Sequence, residues 1–405
     1  MSAVRDQQPE VTSSTTRLRV GVVGLGMAGG TMVSAIKTHP AIELAGGVDP
    51  HPELRRRFTA GEGIPAFRDL EGLLADETID AVYIATPHQL HRDQSIAALD
   101  AGKHVVVEKP MALSLDDCDA MIAAADRAAR VLIVGHTHGF DPALAQMRRI
   151  VDSGRLGRLA MIATFNYTDY LYRPRRPEEL DTACGGGILF NQLPHQVEML
   201  RTLTSAPPRS VRALTRVLDP ARPTEGACMA LLEFQDGTAA TIIYSGHDGF
   251  DTDEWHGWTS EGGFAKAPGH GRARRRLSGL DADAERDLRR NAFGYGSALS
   301  TGFPQAQPHF GVLIATCEHG DLRQAPEGVR IYSAQGEEHI GLPETPWRPG
   351  RGDVLEELRA AVIEGVPPVH DGRFGRATMA VCLAIQQSAR EQREIVFASP
   401  STGRD

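Results

Sequence analysis

The sequence predicts an α/β fold: a doubly wound parallel sheet at the N-terminus, then an α+β domain built on a large open sheet. Three observations carry this. Short apolar runs alternate with helical patterns over the first third of the chain. A glycine-rich loop joins the first run to the first helix. After Asp141-Pro142 the pattern changes to longer strands joined by hairpin signals such as Asp236-Gly237.

The elements follow in order. Arg19–Val23 reads as a strand, Met27–Lys37 as a helix, Ile42–Val48 as a strand and Pro52–Thr59 as a helix. Leu70–Ala75 is helical, Ala81–Ala85 a strand, His91–Asp100 a helix and His104–Val107 a strand. Leu115–Ala129 is a helix and Val131–Val134 a strand. Strand–helix alternation implies parallel pairing with right-handed crossovers. The strands are apolar throughout, as strands covered on both faces are. Beyond residue 140, Ala160–Asn166, Ser210–Arg216, Ala227–Gln235 and Thr238–Ser245 read as longer strands.

The expected organisation is a disordered head over 1–17, a dinucleotide-binding domain over 18–139, and a substrate and oligomerisation domain over 140–405. The 405 residues amount to roughly 2.7 average domains. The excess is assigned to the head and to an insertion over 250–308. Eight Lys/Arg balance eight Asp/Glu in that insertion, and its run Arg272-Ala273-Arg274-Arg275-Arg276 reads as a solvated helix face, with a lid or a subunit contact as the alternatives.

Composition narrows the function. The net charge of −9 argues against a nucleic-acid partner. No apolar run long enough for a membrane span or a signal peptide occurs, and five cysteines lack metal or disulfide spacing. A cytoplasmic protein with a small-molecule substrate, no membrane partner and no metal is expected.

Gly24-Leu25-Gly26-Met27-Ala28-Gly29 follows the first strand and opens the first helix. The glycines permit a tight turn, close approach of a pyrophosphate and close helix–strand packing. The helix N-terminus favours the anion. Asp49 ends the second strand, 20 residues after Gly29, where a carboxylate accepts hydrogen bonds from ribose hydroxyls. That favours NAD. Arg55–Arg57 soften the preference and leave NADP open. Thr86, Pro87, His91, Glu108 and Lys109 lie at the carboxyl ends of later strands, the ligand side of such sheets.

Glu108-Lys109-Pro110 offers a lysine next to a buried strand, where desolvation lowers its pKa toward proton exchange. Gly185-Gly186-Gly187 precedes Asn191 and His195, four residues apart and on one face if the segment is a single helix. Lys109, Asn191 and His195 are the catalytic candidates. His136 and His138 in Gly135–Pro142 are pocket candidates, and no further ligand spacing makes them a metal pair. Asn166–Pro177 carries three tyrosines and three arginines, suited to a planar anionic ring. Tyr167, Arg173 and Arg176 join Lys109, His136, His138 and His195 as substrate-binding candidates.

Together, Gly24–Gly29, Asp49, Thr86-Pro87, His91, Ala101–Pro110 and Gly185–His195 resemble the Gfo/Idh/MocA oxidoreductase family. The resemblance runs from Leu18 to about Phe397. It implies a Rossmann domain followed by a mostly antiparallel open-sheet domain, whose open face makes a homo-oligomer, a dimer or tetramer. It also implies that Lys109 contacts the reacting hydroxyl, that its bond to Pro110 is cis, and that His195 is the family histidine. Two departures stand out. Asn191 replaces a frequent aspartate, and an amide accepts no proton. His138 and Gly139 stand where arginines often precede Phe-Asp-Pro.

Asn166–Pro177, Gly135–Pro142 and Cys317–Gln324 resemble the phthalate cis-dihydrodiol dehydrogenase branch. This implies NAD(P)-dependent oxidation of a carboxylated ring cis-diol to the catechol. The alternative is a sugar, inositol or glycoside dehydrogenase of the same family. A cofactor-sensing regulator on this fold would need no Lys109.

Overall fold

The computed structural model describes residues 17–135, 138–296 and 304–398. Six strands form the first sheet: β1 (Leu18–Val23), β2 (Ile42–Val48), β3 (Ala66–Phe67), β4 (Ala81–Ile84), β5 (His104–Val107) and β6 (Leu132–Val134). Their order is β3-β2-β1-β4-β5-β6, and every pair is parallel. β4 is buried along its whole length, as helices on both faces require. The strand order reverses between β1 and β4. The glycine loop and Thr86-Pro87 lie at their carboxyl ends, the position where such sheets bind ligands.

The second sheet has nine strands: β7 (Leu159–Tyr167), β8 (Pro208–Arg216), β9 (Ala227–Phe234), β10 (Ala239–Ser245), β11 (Val312–Cys317), β12 (Gly320–Ala325), β13 (Gly328–Ser333), β14 (Gly336–Gly341) and β15 (Ile395–Val396). The order is β14-β13-β12-β11-β7-β10-β9-β8-β15. The β7/β10 pair is parallel and the others are antiparallel. The alternation in β9 decides its faces. Cys228, Ala230, Leu232 and Phe234 turn inward, and Met229, Leu231 and Glu233 outward. Helices Leu193–Thr204 and Gly372–Glu391 pack against the sheet.

The chain then returns to the first domain. In helix Arg351–Arg359, Val354, Leu355 and Leu358 are fully buried in one cluster with Val20, Val22, Met32 and Ile36. Each such aliphatic contributes about 1.5–3 kcal/mol when withdrawn from water. Trp347 stacks on His39 at 4.9 Å, and the Val134 N–H donates to the His370 carbonyl at 2.9 Å. A division at 139/140 therefore leaves a helix of the second segment inside the core of the first.

The insertion consists of a turn at Thr252–His256 and helices Arg272–Leu277 and Ala282–Phe293. Arg272, Arg274, Arg275 and Arg276 are exposed while Ala273 and Leu277 are buried, so the basic run is a solvated face. The insertion also reaches the first domain. The Tyr295 N–H donates to the Leu25 carbonyl at 3.0 Å, its hydroxyl to Glu62, and its ring lies 5.4 Å from that of Phe58. Among the described residues no helix is long and apolar enough to cross a membrane, and no group of three or more His, Cys, Asp or Glu could hold a metal.

Candidate active site

The glycine loop is shaped by contacts that a side chain would break. Gly24 has φ +94°, and a Cβ there would meet the Ala85 carbonyl oxygen at 2.6 Å. A Cβ on Gly29 would come within 1.8 Å of the Gly24 oxygen. Gly26, by contrast, faces open space at the start of helix Met27–Thr38, followed by Met27 and Ala28. The loop thus packs tightly on its protein side and leaves backbone N–H groups accessible on the other, which fits a dinucleotide pyrophosphate. Asp49 is buried, and its two oxygens accept from the Leu25 N–H (2.9 Å) and the His51 N–H (2.8 Å). This holds the carboxylate beside the loop, where it could take ribose hydroxyls. Arg55 donates to the carbonyls of Asp49 (2.7 Å) and Pro50 (2.9 Å).

The remaining cofactor candidates divide. Thr86 donates to Gln94 at 2.6 Å, and Pro87 opens the turn His88–Leu90. His91 is completely buried, with ring nitrogens 2.9 Å from the Pro110 carbonyl and 3.0 Å from that of Thr86. It ties the two strand-end loops together and offers no surface to a ligand. The Glu108 carboxylate turns toward Tyr83 and Arg351, accepting from the latter at 3.1 Å. Burial raises its pKa, but Arg351 and Lys109 outweigh that and hold it below the ordinary value. Glu108 therefore anchors the returning helix.

Lys109 follows β5 and precedes Pro110 through a cis peptide bond. Its Nζ donates to the Asn191 backbone carbonyl at 2.8 Å. Burial lowers its pKa from 10.5 to about 8. Glu108 and Glu261 oppose this, while Arg175 and Arg351 reinforce it. An amine tuned to this range can give and take a proton near neutral pH.

Asn191 and His195 do not share one helix. The first ends at Asn191, Gln192 has φ −123° and ψ −46°, and a second runs over Leu193–Thr204. Pro194 has no N–H to continue the first helix and restricts the residue before it. The Asn191 amide donates to the carbonyls of Gly187 (2.9 Å) and Gly185 (3.3 Å). Both glycines have positive φ. The side chain thus holds the glycine turn, and its backbone oxygen faces Lys109. A carboxylate at 191 would oppose two carbonyls, which gives the amide a physical reason. His195 is buried, its ring 5.0 Å from that of His138 and 4.6 Å from that of Phe310. His136 lies outside the described residues.

The arginine-rich loop is more self-contained than its composition suggests. Arg173 pairs with Asp169 (2.7 Å) and Glu261 (3.2 Å), so one cation already faces two carboxylates. Tyr170 and Tyr172 are buried and bonded to the Gly187 carbonyl and to Asp219. Tyr170 packs the loop, while Tyr172 lines a cleft with Arg175 and Arg176. Tyr167 is partly exposed beside Phe250. Arg176 meets Glu178 (3.3 Å) and Glu179 (3.5 Å) through Nε. Its two terminal nitrogens make no hydrogen bond among the described residues.

Sequence reasoning passed over His88 and Glu261, and took Arg175 only as one of the three arginines of Asn166–Pro177. His88 Nδ1 lies 3.2 Å from the Gly185 carbonyl, and burial keeps the ring well below its ordinary pKa, helped by His91 and Lys109. Its signal was a polar residue directly after Thr86-Pro87. Arg175 donates to the Tyr170 carbonyl at 2.8 Å and lies over that ring. Glu261 had no local signal, since the fold brings it from the insertion.

Sheet order, glycine loop and buried lysine define an NAD-binding oxidoreductase. Residues 18–136 match the oxidoreductase family with NAD-binding Rossmann fold, and residues 144–262 match the GFO/IDH/MocA C-terminal domain. The chain is 38% identical over 385 residues to the 1-carboxy-3-chloro-3,4-dihydroxycyclohexa-1,5-diene dehydrogenase of Comamonas testosteroni, covering 93% of this chain and 96% of that protein. It is 30% identical to inositol 2-dehydrogenase 2 of Saccharopolyspora erythraea, over 46% of this chain and 53% of that protein. The crystal structure of a candidate dehydrogenase from Bordetella bronchiseptica RB50 superposes with a TM-score of 0.91 at 45% identity, covering 94% of this chain and all of that one. The chain belongs to the GFO/IDH/MocA oxidoreductase family.

Proposed function

We propose that the protein oxidises one hydroxyl of a carboxylated cyclic cis-diol, of the phthalate dihydrodiol type, to give the catechol. The buried Lys109 amine carries this reading, held by the Asn191 carbonyl and lowered to about 8 beside the dinucleotide loop. The similarity to the Comamonas enzyme supports the substrate class, since its name specifies a ring with one carboxylate and two hydroxyls.

Bound NAD supplies the two-electron acceptor. Gly24–Gly29 would hold its pyrophosphate, and Asp49 would accept from its ribose hydroxyls. Lys109 Nζ, neutral once its proton is lost near pH 8, takes the substrate's hydroxyl proton. His195 contacts the same oxygen, and His138 packs beside it. The Arg176 terminal nitrogens meet the carboxylate. Arg173 shapes the pocket through Asp169 and Glu261, and Tyr167 lines its edge. The ring ketone then enolises to an aromatic catechol, the α-carbon proton moving to the ketone oxygen with no net loss, and aromatisation drives that shift without a carboxylate at 191.

Reduced nicotinamide is followed with three substrates: a carboxylated ring cis-diol, its uncharged amide and myo-inositol. The carboxylated diol shows a KM at least about 10-fold below that of the amide, and Arg176→Ala removes the difference. Turnover of inositol or a sugar without diol oxidation places the protein with the inositol and sugar dehydrogenases instead.

The functional unit is a homo-oligomer joined through the open face of the second sheet. Met161 on β7 and Leu214, Met229 and Leu231 on the paired strands β8 and β9 are exposed, with β10 between β7 and β9, apolar positions suited to a second copy. Met229→Glu with Leu231→Glu converts the oligomer to monomers in light scattering after gel filtration. An unchanged mass refutes this interface.

A further inference from the structure

The site contains a buried acid–histidine pair whose carboxylate the steps above leave unused. After β6, the turn His138–Phe140 presents His138, and Asp141 begins helix Pro142–Asp152. His138 Nδ1 and Asp141 Oδ2 are 2.6 Å apart. Asp141 is completely buried, and its other oxygen has no hydrogen-bond partner among the described residues. A carboxylate facing Nδ1 fixes the hydrogen there and leaves Nε2 as the basic nitrogen. The His138 ring meets that of His195 edge-on at 5.0 Å, and Phe310 packs against both, at 5.0 Å and 4.6 Å. Residues of the first domain's edge and the second domain's helix thus converge in a desolvated cluster.

We propose that Asp141 and His138 are positioning residues for His195, supplying from the turn that joins the two domains the carboxylate that Asn191 does not provide. Asp141 orients His138, His138 orients the His195 ring, and the Asp141 carboxylate balances the positive charge when His195 holds a proton. Nothing here changes the electron balance of the oxidation. The pair decides where one proton rests. This rests on the reading of Lys109 and His195 as the alcohol-oxidising site.

Other charged groups surround the cluster. His309, stacked on His256, feels the His138 charge, and Asp353 feels that of Asp141. Glu198, 3.6 Å from His370, lies beneath Gly139. These stay in place in both substitutions below, so a shift in either reports the pair itself.

The test compares His138→Gln, Asp141→Asn and the double substitution, using whichever alcohol the unaltered enzyme oxidises. Failure of the ring-diol reading is therefore seen separately, in the substrate panel. Each single change lowers kcat at least about 10-fold, short of the roughly 10⁴-fold loss when an aspartate directly orients a catalytic imidazole. The double change is no worse than the poorer single, as members of one unit behave. NADH affinity, read by fluorescence, is unchanged and confirms the fold. Ring-nitrogen NMR gives a readout without turnover: the His195 titration midpoint moves to lower pH in Asp141→Asn, because a carboxylate that favours the cation is gone. Additive losses, unchanged kcat or an unmoved His195 midpoint overturns the proposal.

Discussion

Lys109→Ala lowers kcat by about 10²- to 10⁴-fold while NADH still binds. The substitution removes the amine that meets the Asn191 carbonyl at 2.8 Å and leaves the glycine loop and Asp49 untouched. Lys109→Arg separates two roles. A guanidinium keeps the positive charge but does not release its proton in this range. An inactive arginine variant assigns proton transfer to Lys109. An active one assigns it charge alone. Nicotinamide fluorescence titration beside steady-state rates reads both.

Arg351→Ala destabilises the fold by about 3–5 kcal/mol, because it strands a buried carboxylate. Glu108 is 6% exposed, shares its oxygen with the Tyr83 hydroxyl and has Arg351 at 3.1 Å. The same arginine donates to Tyr83 at 2.9 Å and begins the helix that docks on the first domain. Arg351→Met fills much of the space but leaves the charge unpaired, so it remains destabilised. Adding Glu108→Gln removes that charge and recovers part of the loss. Urea-unfolding midpoints of the three proteins check the order. Equal midpoints for Arg351→Met and the double variant would show that packing, not charge, holds this junction.

Local features were readable in the sequence. The parallel strands betray themselves by apolar runs, and the glycine loop by spacing, because both are decided within a few residues. β3, at Ala66–Phe67, is too short to carry a pattern. Asn191 and His195 were readable as neighbours, but Pro194 splits their helix and turns the amide back on the glycine turn. The partners of Arg173 and Glu108 were not readable. Glu261 lies 88 residues beyond Arg173, and Arg351 lies 243 beyond Glu108. Long-range pairing of this kind is decided by tertiary packing and leaves no periodic trace. It also changes what the arginine loop offers: Arg173 hydrogen-bonds Asp169 and Glu261, whereas Arg176 faces Glu178 and Glu179 with no hydrogen bond from its terminal nitrogens among the described residues.

The pH dependence of kcat/KM tests the central claim that a desolvated lysine takes the hydroxyl proton. Burial lowers the Lys109 pKa, so its neutral form gains population as pH rises through about 8. The account predicts that kcat/KM climbs tenfold per pH unit below that point and levels above it. The climb is absent from the residual activity of Lys109→Ala. A flat profile from about pH 6 to about pH 10, or a limb near 8 that survives in Lys109→Ala, would contradict it.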